Sequence, residues 1–163
     1  MLVAADDRFE PRVILVALER RRVNYVVIGA LARVLHGTDE VTGGVDVCPQ
    51  RREENLERLD AALRDLDAAP VADEVRAGEV AIRRETHAGL VQVVPVPEGT
   101  RGGWDDLRRH ANREALGDGL RAAVASLDDL LRMNAALDRE PDDAVRPQLR
   151  RLAELERSLG IEL

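Results

Sequence analysis

The chain has no lysine: all 24 of its basic residues are arginine. That absence excludes a phosphate-loop lysine, a Schiff base and a lysine nucleophile. Arginine can still grip phosphate or carboxylate bidentately, although drift in composition is the plainer explanation of the bias. Cysteine is nearly absent. The single Cys48 rules out an internal disulfide framework and fits a reducing compartment, so a cytoplasmic location is expected. Beside Pro49, which should end its strand, Cys48 reads as a half-buried small hydrophobe. There is one tryptophan, so base stacking by indole would fall to Trp104, against the plainer reading of a packing anchor. No run approaches the ~18 apolar residues that a membrane span needs. The opening MLVAADDRFE lacks the basic start and apolar length of a signal peptide. Positive charge is in deficit as well. A net charge of −7 argues against nonspecific nucleic-acid binding, which is driven by phosphate neutralisation.

What is present is enough for a core. At 163 residues and 45% hydrophobic, the chain reads as one domain, with an α/β core over about 10–125 and C-terminal helices over about 126–160. Apolar spacing predicts a helix over Pro11–Arg22, its basic end suited to the negative helix terminus. Leu56, Leu59, Leu63 and Leu66 mark the stripe of a second long helix, closed off by Pro70. Strands are expected at Tyr25–Ile28, from Thr42 to Pro49, at Glu79–Arg84, at Leu90–Val94 and at Leu120–Val124. The third and fourth of these should pair through a turn at Thr86–Gly89. Ser126 and Asp129 form a capping-box-like helix start, and Leu149, Leu152, Leu155 and Leu159 line a last helix that stops at Gly160. The segment Pro95–Gly103, with two prolines and three glycines, suits a mobile cleft rim.

The most informative stretch is residues 27–49, VIGALARVLHGTDEVTGGVDVCP. It reads as a buried strand, a tight turn at Gly29, a short helix from Ala30 to His36, and a second strand carrying Thr42, Gly43, Gly44, Val45 and Asp46. Side chains two apart on a strand share a face, so positions 44 and 46 aim into one cleft. Carboxylates at both would hold Mg²⁺, which takes oxygen ligands and bridges phosphates. The helix N-terminus before them is suited to receive those phosphates.

This pattern resembles the nucleotidyltransferase superfamily, the DNA polymerase β-like fold, and in particular its small bacterial members related to abortive-infection toxins. There a Gly-Gly or Gly-Ser turn is followed by a helix and then T-x-D-x-D. Here the turn is Gly29-Ala30, the threonine is Thr42, the second aspartate is Asp46, and the first aspartate is Gly44. The resemblance extends through the helix at residues 52–66. It continues into Leu90-Val91-Gln92-Val93-Val94, where the third metal aspartate falls on Gln92. Near the end, residues 124–134 match V-A-S-L-x-D-L-I-x-x-K, with the usual lysine falling on Asn134. The implied fold is α/β (α+β), a short mixed sheet flanked by helices with a helical C-terminal part.

The resemblance implies a nucleotide or phosphorylated small molecule at Gly29, Ala30, Leu31 and Thr42. It leaves Asp46 as the remnant catalytic carboxylate and a weak Mg²⁺ ligand. Losing two of three carboxylates should cost at least about three to five decades in rate, since each ~1.4 kcal/mol is tenfold. Two readings compete. One is a catalytically degenerate protein that binds a nucleotide or a protein partner. The other is an active or residually active Mg²⁺-dependent enzyme moving a nucleoside monophosphate to RNA, protein or a small molecule, with Glu79 or Glu85 as an unrecognised helper. A purely structural protomer is a third. His36, at a helix end, reads as satisfied by backbone carbonyls rather than as a base. His87 and His110 show no ligand spacing. Asp105-Asp106 and Asp142-Asp143 suit helix starts, and alternation should send only one of Arg83 and Arg84 toward the cleft.

Overall fold

The computed structural model describes residues 9–137 and 145–159. In chain order these form α1 (Pro11–Arg20), β1 (Tyr25–Ile28), α2 (Gly29–His36), β2 (Gly44–Pro49), α3 (Glu53–Asp65), α4 (Ala72–Arg76), β3 (Ile82–Thr86) and β4 (Gly89–Val93). Then follow α5 (Trp104–Leu107), β5 (Asn112–Ala115), β6 (Arg121–Val124), α6 (Leu127–Leu137) and α7 (Arg146–Leu159). The described strands make one six-stranded mixed sheet in the order β3-β4-β2-β1-β6-β5. β1 runs antiparallel to β2 and parallel to β6, β2 runs parallel to β4, and the hairpins β3–β4 and β5–β6 close the two edges. The expected α/β architecture with a helical end is what the chain adopts.

Burial explains the layering. All four residues of β1 are buried, as a central strand covered on both faces requires. On β2, Val45 and Val47 are fully buried while Gly44 and Asp46 are half-buried, so one face packs and the other opens. α1 packs on α3 and reaches β2 and β4; α6 packs between α2 and α7. α3 buries Leu56, Leu59 and Leu63 on the stripe read from the sequence, and Leu66 follows at its cap.

Several boundaries differ from expectation, each for a local reason. α1 stops at Arg20 because Arg22 takes a left-handed turn, φ 56°. α3 ends at Asp65, well before Pro70, where Asp67 turns at φ 60°. Thr42 precedes β2 instead of lying in it, since its hydroxyl donates to the Gly44 carbonyl at 2.9 Å, a local turn that competes with the sheet. β3 begins at Ile82 because α4 and its turn occupy the preceding residues. β5 and α4 were not anticipated. β5 alternates between half-buried and exposed polar positions at a sheet edge, and α4 has only five residues. The Ser126 cap forms as read, its hydroxyl accepting from the Asp129 N–H at 3.1 Å. Gly160 and Asp142-Asp143 lie outside the described residues.

Candidate functional site

The site is built where β1 turns into α2. Gly29 sits at φ +68°, a left-handed geometry that glycine adopts without steric cost. It has a second reason to be glycine: a β-carbon there would overlap the Asp46 carboxylate. The side chain of Asp46 thus rests against the first residue of α2, at the positive end of that helix. Register then extends the row across the sheet. Ile28 opposes Asp46, Asp46 opposes Gln92, and Gln92 opposes Arg83. Residues paired in this way share a face, so Arg83 is the arginine on the Asp46 side. Arg84 turns the other way, onto the Pro70 carbonyl and Glu74.

Above Asp46 lies a cavity of about 270 Å³, just below the ~300–1,000 Å³ typical of ligand pockets. Gly29, Ala30, Asp46, Gln92 and Asn134, all singled out in the sequence, line it. Three of the other positions do not. Leu31 is 2% exposed and belongs to the core; Thr42 is buried with its hydroxyl on the Gly44 carbonyl; Gly44 lies beside Leu90, outside the lining. The rest of the wall is largely apolar: Val80, Val94, Val96, Leu130, Met133 and Leu137. Leu130, Met133, Asn134 and Leu137 follow an i, i+3, i+4, i+7 spacing on α6, a signal readable from the sequence around Asn134. Val96, Pro97 and Glu98 bring the loop after β4 to the mouth of the cavity.

Arg33, one turn into α2, also lines this cavity and was missed. It is buried and clamps Glu40 through Nε at 2.9 Å and Nη2 at 2.7 Å, while the Thr38 hydroxyl donates to the same carboxylate. Its charge is therefore balanced locally by Glu40. Asn134, 1% exposed, accepts from Arg146 Nε at 3.0 Å. A guanidinium from α7 thereby stands beside the position where the resemblance puts a lysine.

Position 44 is crowded: a side chain there requires Leu90 to give way by a few tenths of an ångström. A β-carbon on Gly44 would come within 3.0 Å of the Leu90 carbonyl oxygen and 3.2 Å of the Leu90 β-carbon. Among the described residues, no group of three His, Cys, Asp or Glu side chains is placed to hold a metal ion. The donor set around Asp46 does not fit the Mg²⁺ site that the fold implies, which needs several carboxylate oxygens.

The remaining candidates resolve as packing. His36 Nε2 lies 2.8 Å from the Ala125 carbonyl oxygen, and His87 Nδ1 lies 2.8 Å from Asp67. Trp104 packs on the core with the Arg108 guanidinium 5.1 Å from its ring centre. Cys48 is fully buried, not half-buried, because β2 is a central strand. Burial pushes its thiol up to about 12. Glu79 and Glu85 are exposed and do not line the cavity.

No protein-family model matches the chain, and no curated protein matches it in sequence. Solved structures do. A protein from Thermotoga maritima assigned to the nucleotidyltransferases is 18% identical, with a TM-score of 0.54 over 86% of this chain and 91% of that one. The crystal structure of ANT(2'')-Ia in complex with adenylyl-2''-tobramycin is 16% identical, with a TM-score of 0.51 over 91% of this chain and 87% of that one. The chain has the nucleotidyltransferase fold.

Proposed function

We propose that the cavity over Asp46 binds a nucleotide and that the protein does not transfer it efficiently. The observation that carries this reading is the pairing of Asp46 with Gln92 on adjacent strands, with glycine at position 44 crowded by Leu90. A lone carboxylate holds a divalent ion weakly, and each ion contributes several kcal/mol to phosphoryl-transfer chemistry. What remains supports binding. The N-terminus of α2 offers N–H groups and positive dipole, and the apolar wall from β4 and α6 suits a flat base or sugar face. Asp46 works against that dipole, so anion binding here is modest in strength. ANT(2'')-Ia, of similar fold, was crystallised in complex with adenylyl-2''-tobramycin, which supports a nucleotide-bearing ligand for this fold.

One observation favours the rival reading of a residually active enzyme. Glu98 lines the same cavity as Asp46, so inward movement of the loop would bring up a second carboxylate. Incubation with labelled ATP or GTP, Mg²⁺ and RNA, protein or small hydroxylated acceptors separates the two. The expected result is no incorporation above an Asp46→Ala control. Robust transfer lost in both Asp46→Ala and Glu98→Gln would establish the rival reading.

A further inference from the structure

The connection from β4 to α5 closes on itself at the mouth of the cavity over Asp46. The Val94 N–H donates to the Val47 carbonyl at 2.9 Å, and the Cys48 thiol lies 3.6 Å from the Pro95 carbonyl oxygen. The chain comes back at Gly103, φ +71°, where a β-carbon would overlap that same Pro95 oxygen. The two ends therefore lie against each other, as at the neck of an Ω-loop. Between them the backbone is stiff. Pro95 and Pro97 each fix a backbone angle, and Thr100 donates to the Pro97 carbonyl from its N–H at 3.2 Å and its hydroxyl at 2.6 Å. Val96, Pro97 and Glu98 line the cavity. The tip rests on α6: a β-carbon on Gly99 would come within 2.9 Å of the Arg132 carbonyl oxygen and 3.1 Å of the Ala136 β-carbon. A glycine tip brings no side chain to that contact.

One guanidinium supplies the polar hold. Arg132, on α6, donates from Nη2 to Asp129 Oδ1 at 2.9 Å and sets Nη1 2.9 Å from Asp106 Oδ2. Asp106, on α5, accepts the Arg101 N–H on the same Oδ2 at 2.8 Å. A continuous path thus runs from the first turn of α6 through Arg132 and Asp106 to the backbone of the loop. Among the described residues, Arg132–Asp106 is the one ion pair between α5 and α6. The side chains of Asp129 and Asp106 are only 10% and 14% exposed, so the bridge is less screened than a surface pair. Arg132 does not line the cavity. Gly102 and Gly103, both left-handed at φ +81° and +71°, join the loop to α5 where a hinge would fall. We infer that residues 96–101 form a lid over the cavity and that Arg132 is its latch, a positioning residue that sets how often the cavity opens. The identity of what passes the lid rests on the nucleotide reading above; the latch itself is testable without ligand.

The test compares full-length wild type with Arg132→Met by hydrogen exchange and by relaxation dispersion of the backbone amides, first without ligand. Loss of the latch should raise the open population about tenfold or more, as loss of a charge-assisted hydrogen bond does. The Arg101 amide should exchange faster by that factor, with new dispersion at Glu98, Gly99 and Thr100. Amides of Val27, Val47 and Val93 in the central strands should stay within about twofold, because the opening is local. Arg132→Lys, which keeps the charge without the two-armed reach, should restore part of the protection. If Arg132→Met fails to fold, Asp106→Asn carries the test, since it removes the other end of the ion pair and keeps an acceptor for Arg101. ATP dissociation, followed by stopped flow, should quicken about tenfold in the variant, with association no slower. Unchanged lid amides, an equal rise across the central strands, or an unchanged ATP dissociation rate would overturn the latch. Failure of ATP to bind wild type would instead sink the nucleotide reading, and the lid amides would still decide the latch.

Discussion

Asp46 on β2 and Gln92 on β4 are neighbours in register, yet the walls they belong to differ in how firmly the backbone holds them. On the α2–β2 wall, the left-handed Gly29 and the Asp46 carboxylate fit each other so closely that position 29 has no room for a side chain. On the β4 wall, Gln92 and Leu90 are half-buried side chains in a regular strand, and nothing in the backbone demands those two residues. The helix start at Gly29 is thus fixed by the backbone, while Gln92 lies where substitution is cheap.

The largest effect that would sharpen this contrast is expected from Gly29→Ala. A non-glycine residue in the left-handed region costs about 1–2 kcal/mol, and the added carbon must also displace Asp46. A loss of about 2 kcal/mol or more is expected by urea denaturation, together with loss of nucleotide binding. Wild-type stability in this variant would show that the first wall is not locked.

Next comes the asymmetry between positions 44 and 92. Gly44→Asp must push against Leu90 and should cost about 1–3 kcal/mol, as overpacking does. Gln92→Asp, facing the cavity, should cost less than about 1 kcal/mol. Leu90→Ala should relieve much of the Gly44→Asp penalty, a coupling that a double-mutant cycle measures. Gly44→Asp with Gln92→Asp should then bind Mn²⁺ by calorimetry while the parent does not. Equal penalties at 44 and 92 would break the comparison between walls.

Much of the first wall was legible in the sequence, because Gly29, the α2 pattern and Asp46 carry strong local signals at close spacing. The second wall was legible only in part. Gln92 and Asn134 were placed through resemblance, but the crowding at position 44 depends on Leu90, which comes from a parallel strand 46 residues later. Arg33 was missed because an arginine in an apolar helix looks solvated until Glu40 is found beside it. β5 escaped because an edge strand with polar alternation lacks the apolar signature of a strand.

A smaller effect concerns pH. Burial raises the Asp129 carboxyl in the folded state above its unfolded value. The folded protein then binds more protons in the interval between the two values, so this group's contribution to stability falls as pH rises through that interval. Asp129→Asn should flatten the curve of Tm against pH just above the ordinary carboxylate range. Asp106, held low mainly by the Arg101 N–H and by Arg132, contributes the opposite slope at lower pH. An unchanged pH profile would mean that Asp129 is solvated in the folded protein.

The most direct test of binding without metal-dependent transfer is an ATP titration of wild type and Asp46→Asn, each in Mg²⁺ and in chelator. Asp46 lies beside the α2 N-terminus and repels phosphate when no metal intervenes. The expected result is wild-type affinity within about threefold in the two conditions, and tighter binding by Asp46→Asn in chelator, by about 0.3–1 kcal/mol. A fall of about tenfold or more on removing Mg²⁺ from the wild type, abolished in Asp46→Asn, would mean that Asp46 still builds a working metal site and would contradict the account.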